Sequence, residues 1–309
     1  MLEYPAEGLC RPAENMSLYA LQAAMATKEL LQSTALAFDN QRRLRFELCG
    51  WRGVMPYEEC ADGAAEGQVR DIAILTRVGR PTCFIIQRME VDSCGKPCFF
   101  LSRAEAQRRC KQEYLDQLPA GAVVPCTVTH LEPFGAFCDV GCGISALLPI
   151  DCLSVSRISS PADRVSAGQQ LLCAVKNRDA QGRLVLSLRE LMGTWQENAD
   201  CFSVGETVVG IVRSVEEYGV FIEIAPNLAG LAESRDGMRP GQAVSVYIKN
   251  IIPDKMKIKL VVVSKNIGQG LRFEPRYFVR EGVLDHWVYS TPGSKKVIET
   301  FFENATQPL

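Results

Sequence analysis

Two aromatic pairs are the residues best placed to do chemistry. Phe134 and Phe137 stand three apart, and Tyr218 and Phe221 repeat that spacing 84 positions later (134 to 218, 137 to 221). Each pair is followed by cations: Lys176 and Arg183 after the first, Lys249 and Lys257, with Tyr247, after the second. Rings beside cations suit a flexible, stacked polyanion: bases stack on exposed rings for about 1–3 kcal/mol each while cations follow the phosphates. Other chemistries find little material. The only histidines are His130 and His286, too far apart in sequence to compose a Ser/His/Asp constellation without help from the fold. No phosphate-cradling or dinucleotide glycine pattern occurs. Asp139 and Glu223 have no second carboxylate that the sequence places beside them. The expectation is a chain with no catalytic residues, hence not an enzyme, and with no cofactor.

Thirteen cysteines, an odd number without a secretory leader, argue against a disulfide framework. Cys94 and Cys98, like Cys138 and Cys142, are separated by three residues, which is not a metal knuckle. Cys126, Cys138 and Cys173 fall where alternating strands need small core residues, a role a free thiol fills well. Core thiols are the reading, with metal ligation and redox sensing as the alternatives.

The elements that must position the aromatics come from a repeat. Val123 to Ser187 contains HLEPFGAFCDVGCGISALLP, a Gly168-Gln169 turn and GRLVLS; Val208 to Ser264 contains SVEEYGVFIEIAPNLAGLAE, Gly241-Gln242 and MKIKLVVVS. The early landmarks recur 84 residues on and the later ones 73 residues on (168 to 241), a shift explained by a shorter middle loop. A looser copy, Ala35 to Arg103, carries LRFELCGWRGVMP, RVGRPTCFII and FFLSRAEA. Within the copies apolar residues alternate with period two: Ala136, Cys138 and Val140; Val220, Ile222 and Ile224; Val244, Val246 and Ile248; Met256, Ile258 and Leu260. Short strands separated by glycine turns predict small barrels or sandwiches. Helical spacing falls between the modules, over Arg103 to Gln117 and over Leu188 to Phe202 with Trp195, and again near Asn15 to Leu31 and Lys296 to Glu303.

The division that follows is an N-terminal helical segment (1–34), a degenerate module (35–103), a linker helix (104–118), a second module (119–190), another linker helix (191–203), a third module (204–264) and a C-terminal tail (265–309) that claims no domain of its own. The fold class is mainly β: tandem five-stranded barrels joined by short helices. At 309 residues the chain is too long for one small core, and 47% hydrophobic residues suffice for several. The net charge of −2 confines any polyanion site to a local patch. Met1 to Cys10 lacks a basic stretch followed by an apolar one, and no apolar run approaches the ~18 residues of a membrane span, so a cytoplasmic location without membrane attachment is expected.

Fixing the inward faces fixes the outward ones. Phe137 with Asp139, and Phe221 with Glu223, should point to solvent, the carboxylates supporting the register because lone charges avoid cores. Phe134 and Tyr218 stand at the strand entrances. Lys255, Lys257 and Lys259 should project together, as should Tyr247 and Lys249. The bland alternatives are that the phenylalanines pack against a neighbouring helix or module and that the lysine row is a protected strand edge.

FGAFCDVG, ALLPI, the Gly168 turn and GRLVLS resemble the S1 domain, an OB-fold RNA-binding module. The resemblance covers Gly121 to Leu188 and Gly205 to Ser264 well and Ala35 to Arg103 loosely. The whole order is similar to the small-subunit ribosomal protein S1 family in a short bacterial form. The resemblance implies a face made of Phe134, Phe137, Asp179 and Arg183 in the second module. In the third it implies Tyr218, Phe221 and Lys257, with the acidic position displaced to about Asp254. The family's histidine falls on Pro149 and on Glu233, two departures. In the first module Leu44, Phe46 and Leu48 point inward, leaving Arg43 and Arg45 where an aromatic would stand. The implied partners are single-stranded RNA, specifically mRNA, and the small ribosomal subunit docking on the first module. The implied process is translation. The second class of function is a protein-docking scaffold, for which Arg43, Arg45, Trp51 and the tail aromatics Phe273, Tyr277 and Trp287 would matter most.

Overall fold

The computed structural model describes residues 3–91, 95–233, 237–268 and 270–302; Cys94 and Glu303, both named above, lie outside them. Two units are formed, Met1–Leu118 with Asp139–Ser145, and Pro119–Cys138 with Ala146–Leu309.

In the first unit, Ser17 starts the helix Leu18–Thr27, its hydroxyl accepting the N–H of Ala20. The sheet that follows is not the closed five-stranded barrel expected of the degenerate module. It is a seven-stranded sheet in the order Arg11–Pro12, Leu31–Thr34, Pro81–Val91, Pro97–Ser102, Trp51–Pro56, Arg43–Leu48, Ala37–Phe38. The cause is a break at Ala35–Leu36. It divides one extended run into a half that pairs with Pro81–Val91 and a half that pairs with Arg43–Leu48. Alternation along Arg43–Leu48 follows expectation: Leu44, Phe46 and Leu48 are buried, Arg45 is exposed, and Arg43 pairs with Asp39 at 3.0 Å. Ser102 caps the helix Arg103–Glu113. That helix is polar in composition but not in placement, since Arg103 and Gln107 are buried.

Arg103 is buried because Glu7 waits for it at 2.7 Å. Desolvation opposes the charge on Glu7, but Arg103 and Arg77 outweigh it and hold the carboxyl below its usual range. Asp139, expected to face solvent, is instead buried. Its carboxylate accepts the backbone N–H groups of Glu7 at 2.8 Å, Gly141 at 2.8 Å and Gly143 at 3.0 Å. A carboxylate can leave solvent when backbone donors replace the water. Desolvation and then the nearby Glu7 charge push its pKa up to about 6. An acid whose folded pKa is raised loses stability as pH climbs from its unfolded value, about 3.9, to the folded one. Asp139 should therefore lower the first unit's stability by about 3 kcal/mol between pH ~4 and ~6. Glu7 acts in the opposite sense, losing its contribution as pH falls below its ordinary range. The carboxyl carbon of Asp139 is expected to titrate near pH 6 by NMR; a midpoint below pH ~4 would refute this account.

Two closed barrels fall in the second unit, except that Asp139 and Ser145, each at the end of a strand of the first barrel, belong to the first unit. One is built from Val123–Glu132, Gly135–Asp139, Ser145–Pro149, Gln170–Arg178 and Leu184–Ser187, the other from Thr207–Glu216, Gly219–Ala225, Leu228–Ala232, Ala243–Ile252 and Lys257–Gly268. Numbered in chain order, the strands of both close in the same cycle, 1-2-3-5-4, with the third and fifth parallel. The expected inward residues are inward: Ala136, Cys138 and Val140; Val220, Ile222 and Ile224; Val244, Val246 and Ile248; Ile258 and Leu260. Cys126 and Cys173 are buried with their sulfurs 3.7 Å apart. Met256 departs from the pattern. It sits in a left-handed turn conformation (φ 46°), and the strand begins one residue later.

Glu223 is the second correction. It is fully buried, bonded to Arg164 and to Arg213, whose Nε donates at 2.7 Å. Arg164 is itself fully buried and also donates to Ser154 at 3.0 Å. The expected Leu188 to Phe202 helix is split into a 3-10 turn, Arg189–Met192, and a helix, Trp195–Ala199, capped by Thr194 and Glu197. Trp195 is buried.

The tail is not helical over 296–302. His286–Val288 and Glu299–Phe301 pair as antiparallel strands, burying Trp287, Tyr289 and Phe302 in the core shared with the third barrel. The Tyr289 carbonyl accepts the N–H of Trp195 at 3.0 Å, and the Tyr277 hydroxyl accepts that of Leu172 at 3.0 Å. Trp287 and Tyr277 are thus occupied internally rather than free for a partner. Among the described residues no helix is long and apolar enough to cross a membrane.

Removing one member of a buried ion pair leaves the other charged and unpaired, at a cost of about 3–5 kcal/mol, whereas replacing the pair with apolar residues can recover much of that. Glu223→Ala is expected to lower the urea midpoint by a corresponding amount, and Glu223→Leu combined with Arg164→Met to regain most of it. A Glu223→Ala variant as stable as the parent would refute a structural role for this cluster.

Candidate nucleic-acid interface

In the middle barrel, Phe134 occupies the turn between the first two strands and is 55% exposed, while Phe137 lies on the second strand, half-buried. Their rings meet edge to face, centroids 6.0 Å apart at 86°. Gly135 makes this possible. A β-carbon there would lie 2.5 Å from the carbonyl oxygen of Leu148, so only glycine lets the turn close on the third strand. The carbonyl of Phe134 then accepts the N–H of Ile150 at 2.9 Å. His130 lies flat over Phe137, 4.5 Å away at 10°, and Thr129 donates to the carbonyl of Phe137 at 3.0 Å. The aromatic surface is therefore three rings, the outermost being an exposed imidazole.

The cations of this barrel are partly committed. Arg183 donates to Asp179 at 2.7 Å. Asp179 also accepts the N–H groups of Gln181 and Arg183, capping the turn into the last strand. Desolvation works against its charge, but these bonds win and hold the carboxyl below its usual range. Lys176 is half-buried with its Nζ 3.3 Å from the sulfur of Cys152.

The third barrel repeats the aromatic geometry. Tyr218, 71% exposed, and Phe221, half-buried, meet edge to face at 6.2 Å and 87°. Gly219 plays the part of Gly135, since a β-carbon there would stand 2.6 Å from the carbonyl oxygen of Ala232. Here the cations gather with the rings. A cavity of about 550 Å³ has Tyr218, Phe221, Lys249, Met256, Lys257 and Lys259 in its lining, together with one carboxylate, Glu233. Tyr247 is exposed but does not line it; it stands between Thr207 and Val261 on the neighbouring strands.

The sequence places His130 four residues before Phe134, but its flat stack on Phe137 was missed. The Glu223 cluster was missed. The available signal was Arg213, at a bulge in the first strand opposite the Phe221–Ile222 segment, where one residue too many re-aims a side chain.

Residues 117–189 match the family described as S1 RNA binding domain. The chain carries an S1 domain. The chain is 31% identical over 190 residues to the small ribosomal subunit protein bS1 of Leuconostoc lactis, covering 56% of this chain and 44% of that protein. It is 31% identical over 167 residues to the bS1 homolog of Bacillus subtilis, covering 50% of this chain and 44% of the other. The chain thus spans less than half the length of these relatives. A solved multidomain protein with nucleic acid binding domains from Streptococcus pneumoniae is 14% identical over 78% of this chain and 75% of its own, at a TM-score of 0.25, too distant to bear on function. The S1 domain spans all five strands of the middle barrel, including Phe134, Phe137, Lys176, Asp179 and Arg183.

Proposed function

We propose that this chain binds single-stranded RNA in translation, as a cytoplasmic protein without catalytic activity of its own. Bases would stack on Phe134, Phe137 and His130 of the S1 domain and on Tyr218 and Phe221 of the third barrel. The phosphates would be held mainly by Lys249, Lys257 and Lys259. The observation that carries this reading is the recurrence of one exposed aromatic geometry on two barrels of identical strand order. The relatives named as small ribosomal subunit proteins support the small ribosomal subunit as a partner; mRNA as the strand and the first unit as the docking part are our reading.

For that first unit a protein-docking role has its own support. Arg43 and Arg45 stand where the other barrels carry rings, and Arg45, Trp51 and Arg52 line a shallow groove. We assign the seven segments of the sequence reading to docking (1–118), the S1 domain (119–190), a connector (191–203) and a second RNA-binding barrel (204–264). Of the C-terminal tail (265–309), the described residues, up to 302, are assigned as its structural extension.

Stacking is worth about 1–3 kcal/mol per base, so replacing Phe134, Phe137, Tyr218 and Phe221 by alanine should weaken binding of a labelled single-stranded RNA by roughly 30-fold or more. Fluorescence anisotropy against a duplex of equal length checks this. Equal loss on both RNAs, or no binding by the parent chain at low salt, would refute the proposal.

Asp179 is assigned to holding Arg183, not RNA. Asp179→Asn keeps the oxygen that caps the turn and releases the guanidinium, so affinity should rise only modestly, by about fivefold at most, as an exposed ion pair is weak. The slope of log affinity against log salt should steepen by about 0.7. A fall in affinity would instead make Asp179 an RNA contact.

A further inference from the structure

The cavity beside Tyr218 and Phe221 does not end at the barrel. A second cleft, of about 870 Å³, shares Phe221, Ala229, Met256 and Lys257 with it and is closed on the far side by the C-terminal segment. Its cations are Arg157, Lys255, Lys257, Lys295 and Lys296, and its only carboxylate is Asp254. All five cations are exposed, and among the described residues none of them makes an ion pair. In a chain of net charge −2 this is a concentrated cationic tract.

The wall is built, not draped. Thr291 donates to the carbonyl of Pro253 at 2.7 Å, fastening the turn before the second tail strand to the turn that carries Lys255. Ser290 and Ser294 both donate to the carbonyl of Lys296, at 2.7 and 3.0 Å, and the Ser290 hydroxyl accepts the N–H of Ile298 at 2.8 Å. Gly293 approaches so closely that a β-carbon would lie 3.3 Å from the Cα of Asp254. From the opposite side Asn227 accepts the N–H of Val155 at 3.0 Å, holding the loop that carries Arg157. Met256 and Ile298 supply an apolar floor between the charges.

We propose that a single strand of RNA bound at Tyr218 and Phe221 continues into this cleft, where Arg157, Lys255, Lys295 and Lys296 hold its phosphates. The proposal rests on the RNA-binding reading above and extends it: the C-terminal segment is part of the binding surface. Continuity decides the occupant, since a polyanion already seated on Phe221 and Lys257 meets the next four cations without leaving the surface.

The test uses the full chain with Arg157, Lys295 and Lys296 all changed to Gln, and oligouridylates of roughly 4 nucleotides, the smallest site of one OB fold, and roughly 12, which extends well past it. The three positions are exposed, and an unchanged melting curve confirms the fold. The longer oligomer is expected to bind about 10-fold more weakly at low salt, with the salt slope reduced by about 2, at about 0.7 per phosphate contact. The shorter one should bind as before. If both lengths weaken equally, the three cations act as a general field and the cleft assignment is overturned. If neither length weakens while the parent chain binds both, the cleft is overturned and the RNA-binding reading stands. If the parent chain binds neither oligomer, that reading fails and takes this inference with it.

Discussion

Everything displayed on the two closed barrels depends on one steric constraint, the approach of the first hairpin to the third strand. At Gly135 and Gly219 the space for a β-carbon is already filled by a neighbouring carbonyl oxygen, Leu148 in one barrel and Ala232 in the other. The glycine closes the barrel and at the same time turns the residue before it outward. Phe134 and Tyr218 therefore project while Phe137 and Phe221 lie against the sheet, and the edge-to-face geometry follows from that difference in height. Two exposed rings near a barrel mouth would be a liability in a fold that did not use them. Here the backbone imposes their position before any ligand arrives, so little ordering is left for binding to oppose.

Electrostatics then distinguishes two barrels that share a topology. In the S1 domain Arg183 is already engaged by Asp179, and Lys176 rests beside a buried thiol. In the third barrel Lys249, Lys257 and Lys259 surround the rings. One carboxylate, Glu233, shares that cavity, while another, Glu223, is withdrawn into the interior between Arg164 and Arg213. Burying that acid costs desolvation, and two guanidinium partners offset it. With Glu223 inside, three lysines face a single carboxylate in that cavity, a positive balance on a chain whose overall charge is slightly negative. Local arrangement, not net charge, sets what such a surface attracts.

The elements that could be read in the sequence were those carried by short-range pattern. Period-two alternation identified the inward residues of both closed barrels, and the 84-residue offset aligned their aromatics, because each depends only on neighbours along one strand. Asp139 and Glu223 were misread by the same reasoning. Alternation says which side of a strand a residue occupies, but not whether another segment covers that side, and both are covered by partners distant in sequence, Glu7 and Arg164. The seven-stranded sheet was missed because a break at Ala35–Leu36 leaves the composition of the strand intact. The tail was opaque because its strands are three residues each, too short for any periodicity to register.

If the chain binds RNA as proposed, the tail's contribution explains why a weak aromatic pair would suffice. A single pair stacks two bases at most, an energy that translational entropy and salt can cancel. A second pair on an adjoining barrel makes the next contact intramolecular, and its local concentration then depends on the short connector rather than on bulk protein. That connector, 191–203, is not a free linker. Trp195 is buried, and its backbone is bonded to Tyr289 of the tail, so the segment that walls the cationic cleft also braces the junction between the barrels. Rigidity there carries a cost, because two fixed sites help each other only if one strand can span them. It carries a benefit for the same reason, since a strand that does span them gives up its freedom once for both sites.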